Sequence, residues 1–288
     1  MQEQLCLPSF VITLSCQDRI GIVADVSRFL VDHGCNITDS AQFGDAENSR
    51  FFLRISFQSE RGHGLSTLQA AFAPIARKFD MDVHFFDQSI PMRTLIMVSR
   101  MGHCLNDLLF RYRIKALPID LAMIVSNHKD FSGLAQQNDI PFHLLPVTPG
   151  NKMEQEQALI ELIEVGRIDL IVLARYMQVF SADLCKRYAG KIINIHHSFL
   201  PSFQGAQPYQ RAHGRGVKMI GATAHYVTAD LDEGPIIEQG VERVSHHSSV
   251  KDLTAVGRDT ESGVLARAVK WHAEHRVLLN GNRTVIFT

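Results

Sequence analysis

The sequence predicts an α/β protein in two parts, a small ferredoxin-like βαββαβ domain followed by a doubly wound, mostly parallel sheet. Three observations carry this. Short apolar runs alternate with amphipathic stretches along the chain. The first six segments read strand, helix, strand, strand, helix, strand, an order that sets two helices on one face of a sheet. Beyond them strands and helices alternate, as in parallel sheets joined by crossover helices. The rhythms meet at Asp87–Arg93, where DQSIPMR breaks the apolar pattern with a proline, so domains of 1–88 and 93–288 are expected.

In the first part, Phe10–Ser15 is a short apolar strand, and Asp18 is placed to cap the helix after it. Ile22, Val23, Val26, Phe29 and Leu30 recur there at helical spacing. Asn36–Phe43 and Phe51–Phe57 form a strand pair across the polar turn GDAENS. Leu65–Phe79 is a second amphipathic helix and Met81–Phe86 a last strand. In the second part, Leu95–Val98, Ile119–Val125, Phe142–Leu145, Leu170–Leu173 and Ile192–Ile195 are short strands rich in branched residues. Helices are expected at Glu154–Val165 and Ser181–Tyr188. Two longer β runs follow, Met219–Val227 and Ile236–Val244, then a long helix over Ser249–His275 and a closing strand at Thr284–Phe287.

Lysines and arginines number 29 against 30 acids, a formal charge of −1, which lacks the basic footprint of a nucleic-acid binder. No run approaches the roughly 18 apolar residues of a membrane span. Five scattered cysteines (Cys6, Cys16, Cys35, Cys104, Cys185) contain no CxxC pair, and the N-terminal stretch lacks the basic start of a signal peptide. A soluble cytoplasmic protein with free thiols is expected. The 14 histidines invite a metal. Yet no HExxH occurs, neighbouring histidines on a strand should face opposite ways, and the cysteines join them in no ligand spacing, so no metal is expected.

The segment 191–239 carries the chemistry. Asn194 and His196 fall at the end of an apolar strand, where a doubly wound sheet places its ligands, and Asp232 lies in an acidic turn after the next apolar run. An amide, an imidazole and a carboxylate at neighbouring strand ends can polarise a carbonyl, move a proton and steady the resulting charge, which points to acyl-group chemistry. Taken singly, each is more often a turn or capping residue. His225 alternates with Thr223 and Val227, so it either faces the site or is a hydrogen-bonded strand histidine. His213, His246 and His247 read as surface residues.

Asn194-Ile-His196-His197-Ser198-Phe-Leu200-Pro201, the later Leu231-Asp232-Glu233-Gly234-Pro235 and the earlier Leu173-Ala-Arg175-Tyr176-Met177 together resemble the formyltransferase family that handles 10-formyltetrahydrofolate. Asp18-Arg-Ile-Gly21-Ile-Val resembles the strand-to-helix signature of an ACT domain. The resemblance covers essentially the whole chain and is nearest to the family's hydrolase branch, through the doubled His196-His197, the phrase GATAHYVTADLDEGPIIEQ and the closing GNRTVIF.

The resemblance implies catalytic roles for Asn194, His196 and Asp232, leaving open which of His196 and Asp232 takes the proton from water. It implies a folate pocket of Arg175, Tyr176, Met177, Gln178 and Val179 facing Val227 and Asp230; on the residues alone, Met177 and Val179 could equally be core. His197, His225 and Gly205 would support the trio, and Gly205, Pro208 and Tyr209 would shape access. The implied substrate is 10-formyltetrahydrofolate, with no cofactor beyond it, and the implied role is to supply formate for purine synthesis and balance one-carbon pools. The ACT domain implies a homo-oligomer, a dimer or tetramer, with methionine and glycine as effectors bound near Asp18 and Gly21; a purely structural module is the alternative. The loop Ser99–Asp107 has a single glycine and an added acid in place of a glycine- and serine-rich phosphate cradle, so water is the expected acceptor. The alternatives are transfer to an amine acceptor, or a catalytically inactive folate- or amino-acid-sensing protein.

Overall fold

The structure is a computed structural model that describes residues 7–200 and 208–288. It divides into two compact units. In the first, β1 (Ser9–Gln17), α1 (Ile22–Asp32), β2 (Cys35–Asp45), β3 (Arg50–Ser59), α2 (Leu65–Phe79) and β4 (Asp82–Asp87) build an antiparallel sheet of order β2-β3-β1-β4. Alternate residues Phe10, Ile12 and Leu14 of β1 and Leu53, Ile55 and Phe57 of β3 bury against Val26, Phe29 and Leu30 of α1 and Leu68 and Phe72 of α2. Each such side chain contributes ~1.5–3 kcal/mol by leaving water.

The opposite face of this sheet is apolar too, at Phe52, and it packs on Val285 and Phe287. Buried Arg54 donates to the carbonyls of Glu274 and His275 and to Asp39. The residues Glu274–Leu278 and Val285–Thr288 therefore cluster with the first unit, whereas the expectation placed all of 93–288 in the second. Asp18 does not cap α1. Its backbone N–H donates to the Ser49 carbonyl, and the cap is Gly21 in a left-handed conformation (φ 99°).

The second unit contains β5 (Met92–Val98), α3 (His103–Arg113), β6 (Ile119–Ser126), α4 (Ser132–Gln137), β7 (Phe142–Leu144), α5 (Lys152–Gly166), β8 (Leu170–Leu173), α6 (Ala182–Arg187), β9 (Ile192–His196), α7 (Pro208–Gly214), β10 (Met219–Tyr226), β11 (Ile236–Arg243) and α8 (Val250–Ala273). Its sheet runs β11-β10-β9-β8-β5-β6-β7, parallel except for β10, which pairs antiparallel with both β9 and β11. A hairpin of β12 (Val277–Asn280) and β13 (Arg283–Ile286) closes the chain. The chain leaves β5 towards β6 and β7 and resumes at β8 on β5's other side, so the crevice at the sheet's switch point lies between the ends of β5 and β8.

Gly102 caps α3, so most of the expected loop Ser99–Asp107 is helix and only Ser99–Gly102 is connection. The helices α3, α4 and α7 and the strand β12 go beyond the sequence expectation. No helix among the described residues is long and apolar enough to cross a membrane.

Candidate active site

Strand pairing assembles the trio. Antiparallel β9 and β10 set His225 opposite Asn194 and Thr223 opposite His196. Facing side chains in such a pair share one side of the sheet. His225 Nδ1 donates to the Tyr226 carbonyl at 2.9 Å, leaving Nε2 to accept from Asn194 Nδ2 at 3.2 Å. The Asn194 amide is thus oriented and keeps one N–H to give. Thr223 Oγ1 donates to the Ser198 carbonyl and accepts from the Leu200 N–H, pinning the chain that leaves His196.

Asp232 arrives on the turn after β10 with positive φ (58°), while at Gly234 a Cβ would lie 1.8 Å from the Tyr226 carbonyl oxygen. Only glycine permits that approach. The Asp232 carboxylate meets His196 Nδ1 at 3.1 Å and His225 Nε2 at 3.6 Å. Burial works against its charge, but the hydrogen bond from His196, with the His225 imidazole close by, prevails and holds the carboxyl well below the usual range. His196 is buried, and its Nε2 has no hydrogen-bond partner among the described residues. The atom is set to accept a proton from whatever enters.

His197 lies with its ring 4.7 Å from that of His196, and the His246 and His247 rings are 3.8 Å apart. The expectation of opposite faces fails at both pairs because β9 ends at His196 and His246–His247 occupy a turn. Burial, then the charge of Arg175, then His196 push the His197 imidazole down to about 4, so it is neutral near pH 7. His213, His246 and His247 are exposed, as expected.

The residues after β8 divide. Met177 and Val179 are 58% and 56% exposed, so they are not core and stand available at the strand end. Gln178 is half-buried. Tyr176 is in the core: its ring packs near Phe180 and its hydroxyl accepts from Gln155, with burial pushing it up to about 12. That sets it apart from its exposed neighbour Met177, in contrast to its expected place in the pocket wall. Val227 is half-buried and Asp230 exposed on the facing segment. An apolar cavity of about 390 Å³ lies instead beside His197, lined by Phe199, Tyr209, Ile220 and Val241 among others. Gly205 and Pro201 lie outside the described residues. Pro208 and Tyr209 begin α7 rather than a loop.

A second polar cluster was not legible in the sequence. Glu261 of α8, 1% exposed, accepts from His103 Nε2 at 2.8 Å and from the Tyr209 hydroxyl at 2.6 Å, with Arg175 Nε 3.4 Å away. Cys104 adjoins it, so one cysteine does meet a histidine and a carboxylate within ligand distance. Burial and the Glu261 charge push its thiol up to about 12, and Arg175 already faces the carboxylate. Both disfavour a cation there. In the first unit, Asp18 is exposed beside Gly21 at the start of α1.

The protein-family model for formyl transferase matches residues 92–269, and that for the ACT domain matches 9–86. The formyltetrahydrofolate deformylase of Bacillus subtilis (strain 168) is 48% identical over 276 residues, covering 95% of this chain and 92% of that protein. The crystal structure of formyltetrahydrofolate deformylase from Burkholderia mallei ATCC 23344 superposes with a TM-score of 0.94 at 49% identity, over 98% of this chain and all of that one. A more distant likeness, glycinamide ribonucleotide transformylase 1 from Symbiobacterium toebii, has a TM-score of 0.65 and 30% identity, covering 70% of this chain and 97% of that one.

Proposed function

The chain belongs to the formyl transferase family, with an ACT domain ahead of the transferase domain, and on that footing we propose that it hydrolyses 10-formyltetrahydrofolate to formate and tetrahydrofolate. The observation that carries the reading is His196, gripped at Nδ1 by an ionised Asp232 and without a partner at Nε2 among the described residues, beside an amide that still has a donor to give. The formyl group is an amide of an arylamine, a fair leaving group once N10 is protonated. His196 Nε2 takes the proton of the attacking water, and Asp232 stabilises the imidazolium so formed. The second N–H of Asn194 binds the developing oxyanion, a contribution of ~3 kcal/mol in comparable sites. The imidazolium then protonates N10, the C–N bond breaks, and formate leaves. These steps use side chains alone.

Met177, Gln178 and Val179 on one side and Val227 and Asp230 on the other offer the surfaces for the folate, with Arg175 behind them. The formate so released would feed purine synthesis and balance one-carbon pools in the cytoplasm. The ACT unit would pair copies of the chain and bind methionine or glycine at Gly21; calorimetry with each amino acid tests this, and the absence of heat from both would leave only a structural role. Incubation with 10-formyltetrahydrofolate and no amine should release formate. Formate that appears only with an added amine would convert the reading to the transferase one, and binding without any turnover would convert it to a sensor.

A further inference from the structure

Ser99 staples the two sides of the switch-point crevice: its N–H donates to the Arg175 carbonyl, and its hydroxyl accepts from the Met177 N–H and donates to Asn127. Between the ends of β5, β8 and β9, where a second substrate would have to approach the formyl carbon, stand protein side chains. Arg175 is 8% exposed and held with positive φ (63°), its Nη2 turned to the Met101 sulfur and its Nε to Glu261. His103 at the start of α3 and Tyr209 at the start of α7 turn their donors to the same carboxylate. Tyr209 lies so close on α8 that a Cβ at Gly257 would sit 2.1 Å from its hydroxyl. The charges of Arg175 and Glu261 lie against each other.

We propose that Arg175, anchored by Glu261, His103 and Tyr209, fills the place of an amine acceptor and so restricts the nucleophile to water. The proposal rests on the hydrolase reading above and deepens it. In transfer, the acceptor nitrogen would bond to the formyl carbon and lose a proton, while the C–N10 bond breaks and N10 gains one. Water needs only the small space in front of His196 Nε2; an amine-bearing molecule needs the ground that Arg175 covers. Arg175 is thus a specificity-determining residue, and the left-handed backbone it occupies is one that glycine adopts without strain.

The test is product partition in the full-length enzyme with excess glycinamide, reading formate against formylglycinamide. A general loss of structure lowers both products together and leaves their ratio unmoved. Wild type should give formate alone. Arg175→Gly should yield formylglycinamide at a ratio to formate about tenfold or more above the limit of detection in the wild type. Glu261→Gln, which keeps the shape of the anchor and removes its charge, should shift it in the same direction by less. Formate as sole product of a folded Arg175→Gly overturns the proposal while leaving hydrolysis standing. If Arg175→Gly does not fold, Glu261→Gln decides in its place, and formate alone again overturns it. A wild-type enzyme that releases no formate without amine, or that already formylates glycinamide, overturns the underlying reading and the proposal together.

Discussion

Two carboxylates in the second unit, Glu261 buried and Asp232 partly so, are each met by a histidine, and they end in different states. Asp232 binds His196 and His225, and both histidines look onward, His225 to Asn194 and His196 to an Nε2 with no partner among the described residues. Glu261 binds His103 and Tyr209, with Arg175 beside it, and those groups turn inward to it. Burial opposes both charges, and both carboxyls are nevertheless held below their ordinary range. The hydrogen bond from His196, with the His225 imidazole close by, does this at Asp232. The hydrogen bond from His103, then the Arg175 charge, then Tyr209 do it at Glu261. The acid and its histidine are therefore common to a reactive centre and an inert one. What separates them is the kind of atom left without a hydrogen bond among the described residues: His196 Nε2, which can take a proton, at the first, and Arg175 Nε, a donor that cannot, at the second.

The comparison breaks first at Asp232. Asp232→Asn keeps the shape but gives His196 the wrong hydrogen-bond partner, and kcat for formate release should fall about 10³–10⁴-fold, as when the acid that orients a catalytic histidine is neutralised. Folate binding, followed by fluorescence, should survive, since the residues offered to the folate are others. Next is Asn194→Ala, expected to cost about 10²–10³ in kcat with KM little changed, the signature of a donor used only in the transition state. His225→Gln should cost less, and less still in an Asn194→Ala background, because His225 acts through Asn194 and Asp232. Full additivity of those two changes would show that His225 has a separate role.

The two centres also differ in how far the sequence reveals them. Asn194, His196, His225 and Asp232 sit on β9, β10 and one turn, so strand alternation and local spacing bring them within sight of one another. Glu261 comes from α8, His103 from α3, Tyr209 from α7 and Arg175 from a bend after β8, and no periodicity links them. Gly102 illustrates the loss: read as a loop glycine, it is a helix cap, and His103 became visible as a donor only once α3 was placed. Tyr176 is hard to place for a related reason, since a motif names a residue without saying which way its side chain turns. The βαββαβ order was legible because each strand of the first unit carries its own apolar alternation. That the C-terminal residues cover Phe52 was not, because no local pattern announces a distant partner.

The smallest expected effect concerns histidines that neither carboxylate charges. Burial holds His272 down to about 4 from an ordinary 6.5, and burial with the charge of Arg175 holds His197 at about 4 as well. The Tyr226 hydroxyl, itself pushed up by burial and so a standing donor, bonds to His272 Nδ1 at 2.6 Å, which requires that nitrogen unprotonated. Between pH 4 and 6.5 the unfolded chain therefore binds protons that the folded one refuses. Stability rises with pH across that window and is level above it. Asp232 and Glu261 act in the other window: their contribution is present above the ordinary carboxylate range and is lost only as pH falls through their depressed values. Thermal midpoints at pH 7, 5.5 and 4.5 should accordingly fall in sequence before either carboxylate is protonated. His272→Gln, which keeps an acceptor for Tyr226 but cannot titrate, should flatten that slope; an unchanged slope would mean that His272 takes its proton without leaving the folded state.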